Sequence, residues 1–238
     1  MKSFNRIRCL NNVVSEVIET RNMEDVVVAD IATDHGYLAE QLSRNPKIKK
    51  VYATDISQKC LDKTNELILQ YGLEKIEARL GDGLDAIDCA EIVVIAGIGG
   101  YEIINILSNQ NITNKNKVKS SLFILQPSSN VVELRRFLIG KNIEITKDFI
   151  VKSGGRFYPI IVIDCAKINT TESNIFNLYF GKDNSTKNVD FVEYLYDVLE
   201  KLGFCKTLKI SDNTDEILKE KIEVFMLANE IIKKYKGD

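Results

Sequence analysis

Residues Val26-Val-Val-Ala-Asp30-Ile-Ala-Thr-Asp34-His35-Gly36 constrain this chain more than any other stretch. An apolar run ends in an acid and passes through a turn of small residues into a helix starting near Tyr37. One strand and helix later, Lys50-Val-Tyr-Ala-Thr-Asp55 repeats the pattern and again ends in an acid. A strand, a tight turn onto a helix N-terminus and an acid closing the next strand form a cradle for a nucleoside cofactor. The turn lets the ligand approach the backbone, and the second acid accepts hydrogen bonds from ribose hydroxyls. Strands ending in Asp also occur in α/β proteins without such a ligand, so the rest of the chain must decide.

Apolar runs alternate with helical patterns over most of the chain. Strands are expected at 26–30, 51–55, 76–79, 92–96 and 122–125, with helices near 37–43, 57–71, 101–107 and 131–138. This alternation predicts parallel strands joined by right-handed crossovers. After Gly140 the pattern changes. Residues 143–151 and 157–164 are strand-like and flank Lys152-Ser-Gly-Gly-Arg156, which predicts an antiparallel hairpin. Five parallel strands closed by a hairpin are the layout of the α/β, Rossmann-like class I methyltransferase fold, with its mostly parallel seven-stranded sheet. A nicotinamide dehydrogenase would continue with further βα units.

From about residue 169 the composition shifts. Residues 174–188 are polar and irregular, although Ile175, Phe176, Leu178, Tyr179 and Phe180 need somewhere to pack. Phe191, Leu195, Val198 and Leu202 then recur at helical spacing, as do Ile217, Leu218, Ile222, Phe225 and Ile232. Gly203 ends the first of these helices, and Ser211 or Asp212 is placed to cap the second. The expected division is a methyltransferase domain with an N-terminal helix over 1–168 and a helical hairpin or coiled coil over 169–238. Periodicity does not separate a packing appendage from a substrate-handling arm.

Composition narrows the chemistry. Five dispersed cysteines without a Cys-x-x-Cys pair read as reduced thiols in a cytoplasmic protein. With His35 the only histidine, no metal site is expected. No apolar run reaches the roughly 20 residues that span a bilayer, and the N-terminal segment turns polar at Asn11-Asn12, unlike a signal peptide. No membrane association is therefore expected, and the chain is expected to act as a monomer. The net charge of −2 gives no global nucleic-acid signal. Basic residues do cluster locally, at Arg6 and Arg8, at Arg44, Lys47, Lys49 and Lys50, at Lys115, Lys117 and Lys119, and at Arg135 and Arg136. These are phosphate contacts or ordinary solvated faces.

Asp30-Ile-Ala32-Thr-Asp34-His35-Gly36 carries an acid followed by alternating small residues, with Asp34 where a small residue is usual. A carboxylate inside a cofactor turn costs desolvation unless something pairs with it. The sulfonium or ammonium of S-adenosylmethionine, or a substrate amino group, supplies such a partner. The pyrophosphate of a nicotinamide dinucleotide would be repelled. The plainer alternative is that Asp34 caps the helix from Tyr37. Asp55, with Ile56 beside it, is the ribose candidate, and Gly81-Asp82-Gly83 follows the third strand, where an acid can meet the adenine amino group. Ala96-Gly97-Ile-Gly99-Gly100 ends the fourth strand without the Lys of a P-loop, leaving room where cofactor and acceptor meet. Gln126 and Pro127 end the fifth strand, where they are expected to shape the acceptor pocket.

Together these segments resemble the TrmK family of bacterial tRNA (adenine-N1)-methyltransferases, which act on adenine 22. The resemblance rests on Ala29-Asp-Ile-Ala-Thr-Asp-His-Gly-Tyr-Leu38, Gly81-Asp-Gly-Leu84, Ile95-Ala-Gly-Ile-Gly-Gly100, Leu125-Gln-Pro127 and Gly155-Arg-Phe-Tyr158. It implies S-adenosylmethionine as donor and tRNA as substrate. It also implies Asp34 as the catalytic acid and Asp30, Ala32, His35, Gly36, Asp55, Asp82, Ala96 and Gly97 as cofactor-facing positions. Arg6 and Arg8 match a basic N-terminal helix near the RNA, with Gly99, Gly100, Gln126, Pro127 and Arg156 on the substrate side. Residue 128 is Ser where the family's segment carries Asn. Alternatives on the same fold are a methyltransferase for another RNA, a protein or a small molecule, and a cofactor-binding module without turnover.

Overall fold

The computed structural model describes residues 4–109, 122–208 and 214–237. The Lys115, Lys117 and Lys119 cluster and the cap expected at Ser211 or Asp212 lie outside the described residues. A helix α1 (Phe4–Thr20) precedes β1 (Val26–Ile31), α2 (Tyr37–Ser43), β2 (Ile48–Asp55), α3 (Gln58–Tyr71) and β3 (Ile76–Leu80). Then come β4 (Ile92–Ala96), α4 (Gly100–Asn109), β5 (Leu122–Gln126), α5 (Val131–Gly140), β6 (Ile143–Ser153) and β7 (Arg156–Ile168). The chain continues with α6 (Ile175–Phe180), α7 (Val189–Lys201) and α8 (Glu216–Gly237). Among the described residues no helix is long and apolar enough to cross a membrane.

The strands form one seven-stranded sheet in the order β3-β2-β1-β4-β5-β7-β6. The first five strands are parallel, and β7 runs antiparallel to both β5 and β6. The hairpin turns at Gly154 and Gly155, both at positive φ, with Ser153 paired to Arg156. Helices cover both faces of the sheet, so the central strands are apolar on both sides. Val28, Val51, Ile92, Val94 and Ile124 pack toward Leu10, Val14 and Ile18 of α1 and Leu38 and Leu42 of α2. The alternate residues, Ala29, Ile31, Val93, Ile95, Phe123 and Leu125, pack toward Ile103 and Leu107 of α4 and Leu134 and Leu138 of α5. The order places the carboxyl ends of β1 and β4 side by side at the middle of one sheet edge, the crevice where such folds bind ligands.

The C-terminal helices seat on β6. Phe180, Phe191, Leu195, Val224 and Ala228 share a third core with Ile150. β6 is an edge strand, whose free backbone groups would otherwise invite pairing with another chain. The polar stretch that follows α6 covers them. Asp183 Oδ2 accepts from Asp148 N at 2.7 Å, Asn184 Oδ1 from Ile150 N at 3.1 Å and Asp190 Oδ2 from Lys152 N at 2.8 Å. Asn188 Nδ2 donates to Ile150 O at 3.3 Å. Beneath this edge, Arg135 of α5 forms a buried two-pronged pair with Asp148, at 2.7 and 2.8 Å, and donates to Leu178 O at 2.8 Å.

Candidate active site

The turn after β1 sets the geometry. Ala32, Asp34 and Gly36 all take positive φ, at 60°, 54° and 73°. For Ala and Asp this left-handed backbone costs roughly 1–2 kcal/mol each, so neighbouring contacts must hold it. Asp34 N donates to Asp55 Oδ2 at 3.1 Å, Thr64 Oγ1 to Asp34 O at 3.2 Å, and Thr33 N to Thr54 O at 2.9 Å. Gly36 is the N-cap of α2, and no side chain caps that helix. Asp34 is therefore not the cap. A Cβ on Gly36 would stand 2.8 Å from Thr64 Cγ2, which explains the glycine as a packing requirement between α2 and α3.

A cavity of about 590 Å³ opens at the carboxyl ends of β1, β2, β3 and β4, within the range of small-ligand sites. Its walls bring together Ala32, Asp34, Asp55, Ile56, Gly81, Asp82, Gly83, Ala96 and Gly97. Asp55 accepts from Asp34 N on one oxygen and from Ser57 N at 2.9 Å on the other. Each oxygen keeps a further acceptor site for a hydroxyl. Ile56, 74% exposed, offers an apolar platform at the rim. The same cavity is lined by Glu102, Asn105 and Asn109 of α4, which the sequence reading passed over. Their spacing is a polar stripe on a helix whose other side buries Ile103 and Leu107, and that stripe was the available signal.

A second chamber of about 250 Å³ shares Ala32, Asp34 and Ala96 with the first and adds Arg6, Asp30, His35 and Tyr37. Asp30 is buried and accepts from Thr33 Oγ1 at 2.6 Å. Burial pushes its carboxyl up to about 7, against the pull of the Thr33 and Ala39 hydrogen bonds and the Arg6 charge. Arg6 reaches inward. Its Nη1 donates to Gln126 Oε1 at 2.8 Å, its guanidinium lies 5.7 Å from the Tyr158 ring, and a Cβ on Gly97 would meet Nη1 at 3.3 Å. The Asp34 side chain is 67% exposed at the junction of the chambers, where Oδ2 lies 2.8 Å from His35 Nδ1. It carries a smaller desolvation cost than its place in the turn suggested.

The loops after β4 and β5 are stitched together. Gly97 N donates to Gln126 O at 3.1 Å, Ser128 N to Ile98 O at 2.8 Å and Gly100 N to Ser129 O at 2.9 Å. Gly99 and Gly100 allow this close approach and line neither chamber. Pro127 faces a small cleft of about 150 Å³ with Ser128, Arg135 and Phe157. Arg156 is exposed at the end of the hairpin turn, outside both chambers. Arg8 is exposed on α1 and lines a separate groove of about 830 Å³ with Asn11, Gln41, Arg44, Tyr37 and Tyr71.

A parallel sheet ending in an antiparallel hairpin, with acids at the carboxyl ends of β1, β2 and β3 around a small-residue cavity, defines a class I methyltransferase. The profile of a methyltransferase domain family matches residues 10–161. A Mycoplasma pneumoniae protein provisionally named a tRNA methyltransferase is 36% identical over 59% of this chain and 64% of its own length. The Bacillus subtilis tRNA (adenine(22)-N(1))-methyltransferase is 30% identical over 58% of each chain. The matched segments thus span about three fifths of these curated relatives. A Streptococcus pneumoniae crystal structure, provisionally described as a tRNA (m1A22) methyltransferase, superimposes with a TM-score of 0.73 at 26% identity. That match covers 90% of this chain and 96% of the other. The chain belongs to the methyltransferase-domain family, and the relatives it resembles within that family are named as tRNA methyltransferases.

Proposed function

We propose that this protein transfers the methyl group of S-adenosylmethionine to N1 of an adenine in tRNA, at position 22, acting as a cytoplasmic monomer without a metal. The observation that carries the donor is the pair of joined chambers. One is a small-residue cavity edged by Asp55 and Asp82, and the other sets the Asp30 carboxyl and the Arg6 guanidinium around a single small space. The first suits a nucleoside, with Asp55 accepting from ribose hydroxyls and Asp82 from the adenine amino group. The second suits the zwitterion of an amino acid, with Asp30 toward the ammonium and Arg6 toward the carboxylate. Bound there, S-adenosylmethionine supplies an electrophilic methyl group on a sulfonium.

What the chain must add is alignment and exclusion of water, worth about 7–11 kcal/mol in well-oriented reactions. Asp34 stands where both chambers meet, so its carboxylate faces the place at which an acceptor approaches the donor. There it accepts a hydrogen bond from the adenine N6 amino group, leaving N1 more electron-rich, and stabilises the positive charge that grows on the ring. Ala96, Gly97 and Ile98, at and just after the end of β4, line the first cavity with little bulk, which leaves room for a flat base. Extruding that base from a paired stem costs a few kcal/mol, offset by phosphate contacts from exposed cations such as Arg8 and Arg156. Residues 1–168 carry this chemistry, and 169–238 form a helical domain beside it.

Incubation with methyl-labelled donor and bulk bacterial tRNA, followed by nuclease digestion and mass spectrometry, tests the proposal. The expected product is 1-methyladenine at position 22. Label in another base, or in protein or small molecules only, overturns it.

A further inference from the structure

Asp34 is not held by the turn alone. Three residues of α3 at positions i, i+3 and i+4, namely Cys60, Lys63 and Thr64, present one helix face to the Asp34–His35 segment. Cys60 Sγ lies 3.5 Å from Asp34 Oδ1, and Thr64 Oγ1 holds the Asp34 carbonyl. Lys63 Nζ sits 2.8 Å from His35 Nε2, while His35 Nδ1 sits 2.8 Å from Asp34 Oδ2. The imidazole is stacked on Tyr37, 5.6 Å between centroids at an interplanar angle of 9°. A lysine ammonium has donors and no lone pair, so Nε2 must be the accepting nitrogen. The hydrogen of a neutral ring then lies on Nδ1, pointed at the Asp34 carboxylate. With the other tautomer, two lone pairs would face each other across 2.8 Å.

We infer that Lys63 is a positioning residue for methyl transfer: it selects the Nδ1–H form of His35, which in turn fixes the direction of the Asp34 carboxylate. The role of Asp34 itself rests on the function proposed above. The Asp34 side chain is mostly exposed, and among the described residues its only other side-chain contact is the weak one from Cys60. An unanchored carboxylate would sample several rotamers, few of them aimed at an approaching base. Misplacement by about 1 Å is enough to lose on the order of 100-fold in rate.

His35 is the only histidine in the chain, so imidazole ¹⁵N labelling reports this ring and no other. In the wild type the neutral ring is expected to carry its hydrogen on Nδ1. In Lys63→Met, which keeps the aliphatic stem, the Nε2–H form that a free imidazole prefers should gain population, with the exposed Asp34 carboxylate turning away from the lone pair left on Nδ1. The same substitution should lower kcat about 10- to 100-fold, with KM for tRNA and Kd for S-adenosylhomocysteine nearly unchanged. Lys63→Arg, which restores a donor, should recover both readouts. A wild-type Nε2–H ring, or an unaltered Nδ1–H ring in Lys63→Met, overturns the inference. So does a loss that falls on tRNA KM and fades with salt, since Lys63 would then be a phosphate contact. The spectrum needs no turnover, so failure of this inference and failure of the proposed reaction are told apart.

Discussion

Arg6 and Gln126 stand 120 positions apart in sequence and are joined by a 2.8 Å hydrogen bond from Nη1 to Oε1. Gln126 is fully buried, and its Nε2 donates to Pro127 O at 2.8 Å, so both halves of the amide are committed. The end of β5 thereby holds a cation from α1 over the inner chamber. Gln126→Leu removes that anchor while keeping the bulk. A hydrogen bond to a charged group is worth about 1.5–3 kcal/mol. Titration calorimetry with S-adenosylhomocysteine should therefore show affinity weakened about tenfold or more, and Arg6→Met should match it. Unchanged affinity with weakened tRNA binding would return Arg6 to the RNA side.

The Asp30 carboxyl, raised to about 7 by burial, makes cofactor binding depend on pH. An ammonium beside it favours the ionised form, so binding below about pH 7 should release a proton and affinity should climb toward that pH before levelling. Folding has the opposite slope. The folded-state value lies above the reference of 3.8, so this group's contribution to stability is complete at low pH and is lost as pH rises toward 7. Calorimetry in buffers of different ionisation enthalpy counts the proton. Asp30→Asn should abolish its release, and a wild type that releases none contradicts the assignment.

Asp34→Ala should separate chemistry from binding. Loss of an electrostatic partner of the reacting ring predicts a fall in kcat of about 100- to 1,000-fold, with S-adenosylhomocysteine affinity little changed. Equal losses in both measurements would place Asp34 in the cofactor cradle instead.

Gly36→Ala should be destabilising for two separable reasons. The backbone stands at φ 73° and the new Cβ meets Thr64 Cγ2 at 2.8 Å. Urea unfolding should show a loss of about 1–3 kcal/mol. Adding Thr64→Ser, which deletes that methyl, should recover the steric part and leave the backbone part. No recovery would mean that the turn itself had moved.

Arg135→Met strands a buried carboxylate and should cost about 3–5 kcal/mol. Asp148→Leu alone should also be costly, whereas the double variant should be more stable than either single one. Additive losses in a denaturation cycle would show that the two side chains act independently.

Much of the fold was legible because central strands buried on both faces appear as continuous apolar runs, as at Val26–Ile31 and Ile92–Ala96. The start of β2 was not, since Lys49 and Lys50 are charged residues at the less buried entrance of a strand that begins at Ile48. The polar residues after α6 looked irregular because their partners, the free edge groups of β6, lie more than thirty positions away. In the site, Asp55, Asp82, Ala96 and Gly97 were readable from their places after strands, and the structure gathers them in one cavity. Arg6 was placed on the RNA side by its basic cluster and by the family resemblance; the fold sets it in the chamber with Asp30. Lys63 gave no signal, because its partnership depends on how α3 is rotated against the β1 turn.

The backbone stitches between the loops after β4 and β5 carry a lesson for anyone re-engineering acceptor choice. Gly97–Gly100 and Gln126–Ser129 share their hydrogen bonds, so they form one rigid jaw with two discontinuous halves. Grafting a single half from a homologue would mismatch the seam. Specificity should transplant only when both halves travel as a set.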